Sequence, residues 1–94
     1  MKFPKDIPWV STGKTIGSGG QSTVQEVEPK EQSDFEMGTY ALKKLRNSKS
    51  AQAMARFQRE IQAIRSVDDS RIVKIVDCSR EGADFVYYVM PSPS

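Results

Sequence analysis

Apolar residues recur along this chain with two different periods, and the change of period divides it into elements. Residues 9–16, with Val10, Thr12 and Ile16, and residues 23–28, with Val24 and Val27 between polar neighbours, carry the short near-alternating pattern of strands. Gly17, Gly19 and Gly20 lie between them and predict a hairpin turn. The stretch 29–38, PKEQSDFEMG, is polar and aperiodic, so it predicts a long exposed loop after Pro29 ends the second strand. Residues 39–45 predict a third strand.

Beyond it the period becomes helical. Met54, Phe57, Ile61 and Ile64 fall three and four residues apart, one apolar stripe of an amphipathic helix that runs to about Ser66. Asn47, Ser48 and Ser50 are its N-cap candidates. Asp68-Asp69-Ser70 predicts a turn, residues 71–78 a strand rich in β-branched side chains, residues 80–83 a tight turn at Gly82, and residues 84–90 a fifth strand that Pro91 ends. Three strands, a helix and two strands predict an α+β fold, a five-stranded antiparallel sheet with one packed helix.

Composition narrows the class. With 94 residues, 37% hydrophobic and 28% charged, the chain suits one small domain over 1–94, its first eight residues an extended leading segment with Pro4 and Pro8. Fourteen basic against 12 acidic residues leave +2, too little to argue for nucleic acid, and Lys43, Lys44, Arg46 and Lys49 read as a solvated cluster. No run approaches the roughly 18 apolar residues of a membrane span, and residues 1–9 lack the apolar core of a secretory signal. Cys78, the single cysteine, has no partner for an internal disulfide and reads as a buried strand residue, which fits a cytoplasmic setting. The absence of histidine excludes histidine-dependent triads and His-ligated metals within the chain, and one cysteine makes no zinc cluster. No metal site is expected here.

The glycine loop carries the candidate chemistry. Gly13-Lys14-Thr15 superficially resembles the end of a Walker A loop, but Pro8 stands where that motif needs its first glycine. A dinucleotide loop would open into a helix, whereas Ser22-Thr23-Val24-Gln25-Glu26-Val27 favours a strand. Alone, the loop reads equally as a hairpin needing glycine for its turn. Two further residues change that balance: Lys43 in the strand pattern Tyr40-Ala41-Leu42-Lys43, and Glu60 on the helical stripe.

From residue 16 to residue 90 the chain resembles the N-terminal lobe of eukaryotic-type Ser/Thr protein kinases. The family's GxGxxGxV pattern stands as Gly17, Gly19, Ser22 and Val24, with serine replacing the third glycine; its VAIK-like motif is Tyr40-Ala41-Leu42-Lys43; Glu60 fits its helix glutamate; and Arg71-Ile72-Val73-Lys74-Ile75 looks like its fourth strand. The resemblance implies ATP with Mg²⁺ as cofactor. Lys43 would neutralise the α- and β-phosphates and Glu60 would orient it, the two residues with catalytic roles. Gly17, Ser18, Gly19, Gly20 and Ser22 would cradle the phosphates, and Ile16, Val24 and Ala41 would roof the adenine. Met90 matches the gatekeeper, and residues 91–94 the start of the hinge, where the Pro91 carbonyl would accept from adenine. Pro93 stands where the family presents a backbone N–H, which predicts weak nucleotide binding.

Lys43 has the alternative of a strand lysine facing solvent, and Glu60 that of a surface partner to Arg56 one turn away. Ile64 and Ile75 look like members of the hydrophobic stack that couples the helix to the other lobe. The catalytic-loop aspartate and asparagine and the DFG aspartate belong to that C-lobe, so it is expected to supply the Mg²⁺ ligands, and association with a C-lobe or with a second copy is the expected partnership. Protein substrates would belong to the complete enzyme. The competing expectations are a non-catalytic interaction or regulatory module of the same fold, and a nucleotide-dependent switch.

Overall fold

The computed structural model describes residues 3–19, 22–46, 49–66, 75–80 and 84–92. Its elements run β1 (Trp9–Ser18), β2 (Ser22–Pro29), β3 (Tyr40–Leu45), α1 (Ala51–Ser66), β4 (Asp77–Cys78) and β5 (Tyr87–Pro91). The strands form one antiparallel sheet in the order β1-β2-β3-β5-β4, with α1 against one face. This is the α+β architecture that the patterning predicts.

The register sorts the side chains, because residues directly opposed across a ladder share a face of the sheet. One row runs Gly17, Val24, Lys43, Tyr88 and Cys78, and the next runs Glu26, Ala41 and Met90. These rows lie on the face that α1 covers, the front. The alternate rows, Gln25, Leu42, Val89 and Asp77, then Val27, Tyr40 and Pro91, lie on the back.

Each face buries its own core. Leu45, Ala53, Phe57, Ile61, Val86 and Tyr88 fill the front, while Trp9, Val27, Leu42, Tyr87 and Val89 fill the back. The uninterrupted run Val86, Tyr87, Tyr88, Val89 is buried throughout because its strand is covered on both sides. On α1 the helical stripe is the buried one, with Phe57 and Ile61 inside and Met54 and Ile64 at its margins. Ser50 is the cap: its Oγ accepts from the Ala53 N–H at 3.3 Å, satisfying a donor that the first turn leaves free.

Four expectations are corrected in detail. Pro29 does not stop β2 short but is its last residue, paired with Trp9 and buried; a terminal position spares it the N–H it lacks. The stretch 29–38 is no wholly exposed loop, because Phe35 folds back onto Trp9 with ring centroids 4.8 Å apart. Of the fourth strand expected over 71–78, the ladder holds Asp77 and Cys78, and residues 71–74 lie outside the described residues. Val76 donates to the Val89 carbonyl at 2.8 Å while Asp77 is also paired with Val89, so two residues oppose one, as in a bulge. Pro91, expected to end the fifth strand, is its last member, opposite Tyr40.

β1 is longer and less regular than its pattern, with register shifts on both sides of Thr15. Gly13 has φ 93°, a backbone state that side-chain-bearing residues rarely adopt, and it lies in the first shift. That requirement explains the glycine of Gly13-Lys14-Thr15 without any phosphate. Val10 and Ile16 stay exposed, at 44% and 41%.

Candidate nucleotide-binding site

Lys43 lies on the front of β3 between Val24 and Tyr88. Phe57 and Ile61 anchor α1 in the front core, and this brings Glu60, between them in sequence, over β3. The Lys43 Nζ donates to Glu60 Oε1 at 2.7 Å. The Tyr88 hydroxyl donates to the same oxygen, also at 2.7 Å. Glu60 therefore meets Lys43 and Tyr88, not the Arg56 of the surface alternative, and Lys43 does not point freely to solvent.

Burial alone would push the Glu60 carboxyl up. The hydrogen bonds from Lys43 and Tyr88 and the lysine's charge outweigh it, and the group sits below its ordinary value. Tyr88 moves the other way: burial first, then the bond and charge of Glu60, push the donating hydroxyl well up. The Lys43 and Glu60 side chains keep 25% and 39% of their exposure, and the pair remains reachable from solvent.

The hairpin closes with Ser18 opposite Thr23 and the Gly19 N–H on the Ser22 carbonyl at 2.8 Å. Gly20 lies outside the described residues. Gly17 has no positive φ, and a Cβ built there would meet nothing within 4 Å. Neither the turn nor its packing requires glycine at that position. What glycine provides is open space above the backbone, directly along the row that leads through Val24 to Lys43. That space, ending at a cation, fits a chain of phosphates.

Val24 and Met90 are half-buried, Ala41 is buried, and Ile16, next in sequence to the Gly17 that pairs with Val24, is exposed. Ala41 and Met90 are cross-strand partners, so the expected roof and gatekeeper meet. Ser18 is exposed and Ser22 half-buried at the hairpin's end. Pro91 continues β5 onto the back row, while Pro93 lies outside the described residues. Among the described residues no cluster of His, Cys, Asp or Glu could hold a metal ion, and no helix is long and apolar enough to cross a membrane. Two cavities, of about 570 and 830 Å³, lie apart from Lys43, one between α1 and the β4 segment and one on the back face.

Two features escaped the sequence reading. One is the Tyr88 hydroxyl on Glu60. The other is a matching group on the back, where Asp77 Oδ2 accepts from Trp9 Nε1 at 2.7 Å and from the Tyr87 hydroxyl at 3.1 Å. The available signal was the tyrosine pair itself: adjacent residues of a strand point to opposite faces, and a buried tyrosine needs a partner for its hydroxyl.

The family model described as protein tyrosine and serine/threonine kinase matches residues 10–92, and the chain belongs to that family. It spans the N-lobe of the protein kinase fold. No curated protein matches it.

Proposed function

We propose that this chain is the ATP-binding lobe of a Ser/Thr protein kinase that works in the cytosol. The observation that carries the reading is the 2.7 Å contact of Lys43 with Glu60, in the same cross-strand row as Gly17 and Val24. In this reading Gly17 and Gly19 admit the triphosphate close to the backbone, Lys43 holds the α- and β-phosphate oxygens, and Glu60 keeps the lysine aimed at them. Ile16, Val24, Ala41 and Met90 cover the adenine. Mg²⁺ supplies charge neutralisation across the phosphates when bound, and its ligands come from the C-lobe.

Ile64 and Ile75 are only partly buried at the edge of the front core, and on the β1–β2 hairpin Val24 is half-buried and Ile16 exposed, apolar surface that would suit that lobe. The choice between Ser/Thr and Tyr acceptors follows the resemblance and is decided by assay. The experiment joins the chain to a kinase C-lobe, fused or in trans, and measures transfer from Mg-ATP to serine and tyrosine peptides. Serine phosphorylation that Lys43→Met abolishes is the expected result. An assembled complex that binds no nucleotide would overturn the reading and leave the interaction module standing.

A further inference from the structure

Lys43 and Glu60 are long, partly exposed side chains, and an ion pair of that kind is worth little by itself, since holding both in one geometry costs side-chain entropy. Something more rigid must choose the rotamer in which they meet. Tyr88 has the required properties. It is 1% exposed, its backbone is laddered to Lys43 on one side and Cys78 on the other, and its ring packs on Phe57 of α1 with centroids 5.3 Å apart. A tyrosine has only two side-chain torsions, so once the ring is packed the sheet determines where the hydroxyl lies.

We propose that Tyr88 is a positioning residue for this site, its buried hydroxyl fixing the Glu60 carboxylate where Lys43 meets it. Both bonds end on Oε1, and the Lys43 Nζ also lies 5.9 Å from the centre of the Tyr88 ring. One side chain of β5 thus touches the lysine, the glutamate and the aromatic anchor of α1. The helix glutamate is held in place by the N-lobe's own sheet, before any nucleotide or second lobe arrives. At neutral pH the Tyr88 hydroxyl is protonated and a donor already at its ordinary value of 10, and burial and then Glu60 push it further up.

The functional consequence rests on the nucleotide reading above; the positioning does not. The test compares the chain with Tyr88→Phe, which keeps the ring and removes the hydroxyl. Carboxyl-labelled glutamate NMR follows the Glu60 titration, and nuclear Overhauser contacts follow the approach of Lys43 to Glu60. The expected result is a Glu60 midpoint that moves up and a weakened Lys43–Glu60 contact while the ring at position 88 keeps its contact with Phe57, which separates loss of the hydroxyl from a general loss of packing. A folded Tyr88→Phe with both readings unchanged overturns the proposal. If the variant does not fold, the wild type decides: a slowly exchanging Tyr88 hydroxyl proton supports the proposal, and a rapidly exchanging one overturns it.

In the C-lobe complex, Mg-ATP affinity should fall about tenfold in Tyr88→Phe, the scale of one hydrogen bond to a charged group. It should be unchanged in Tyr87→Phe. A wild type that binds no Mg-ATP while the Glu60 midpoint still responds to Tyr88 would sink the nucleotide reading and leave the positioning role intact.

Discussion

The two faces of the sheet are built on the same device and put it to different uses. On each, a carboxylate accepts from a tyrosine hydroxyl and from one nitrogen: Glu60 from Tyr88 and Lys43 on the front, Asp77 from Tyr87 and Trp9 on the back. The tyrosines are neighbours in β5 and diverge because strand side chains alternate. The difference lies in the nitrogen. Trp9 is 0% exposed and its ring packs against Phe35 and edge-on against Tyr40, so the nitrogen of the back network is held within an aromatic cluster beside a half-buried Asp77. Lys43 is a flexible cation beside open space. A neutral, packed donor makes a clasp for the fold, and a charged, reachable one makes a site.

Breaking the back face should have the largest effect. Trp9→Ala removes the centre of that core, strips Asp77 of its shorter hydrogen bond and frees the leading segment that packs through Phe3 and Ile7. A loss of about 3–5 kcal/mol is expected for such a truncation. Small domains hold only about 5–15 kcal/mol in all, so urea denaturation should find the variant largely destabilised. A loss below about 1 kcal/mol would show that the back cluster is not a core.

A matched change sharpens the comparison. Tyr87→Phe removes the 3.1 Å bond to Asp77 and leaves the ring packed, and it should cost about 1–2 kcal/mol, since the carboxylate keeps Trp9 as donor. The Tyr87 hydroxyl donates here too, and burial, with Asp77 adding to it, pushes it well up. Nucleotide binding in the C-lobe complex should not change. An effect on binding as large as that of Tyr88→Phe would mean that the two faces are not separate.

The same contrast decides what could be read from residues alone. The front was legible because α1 repeats its apolar positions at Met54, Phe57, Ile61 and Ile64, and because Lys43 and Glu60 each sit in a local pattern. That Lys43 and Glu60 touch was not periodic information, and only the resemblance supplied it. The back core has no period to find. Phe35 is a lone aromatic in a polar stretch, Phe3 and Ile7 each stand directly before a proline, and Asp77 follows a run of β-branched residues whose alternation breaks at Val76. Such contacts arise from chain return over long separations, and a hydrophobic pattern within one segment says nothing of them.

The smallest expected effect is electrostatic and lies on the front. Glu60→Gln keeps an oxygen for Lys43 and Tyr88 and removes only the charge, so it isolates what the ion pair contributes to stability. Since the folded carboxyl lies below its ordinary value of 4.5, its contribution is present above about pH 4.5 and is lost as pH falls through the lower folded value. Wild type and Glu60→Gln should therefore differ in urea midpoint at pH 7 and converge as pH falls through the lowered folded value. With Glu60 39% exposed, solvent and salt screen the pair, and the difference at pH 7 should stay under about 1 kcal/mol and shrink further in high salt. A salt-insensitive loss of several kcal/mol would place the pair in the fold's clasp alongside Trp9 and Asp77, and would erase the distinction between the two faces. A loss that is small, screened and confined to the higher pH leaves Lys43 and Glu60 available for a ligand's charge, since the fold does not depend on how they pair.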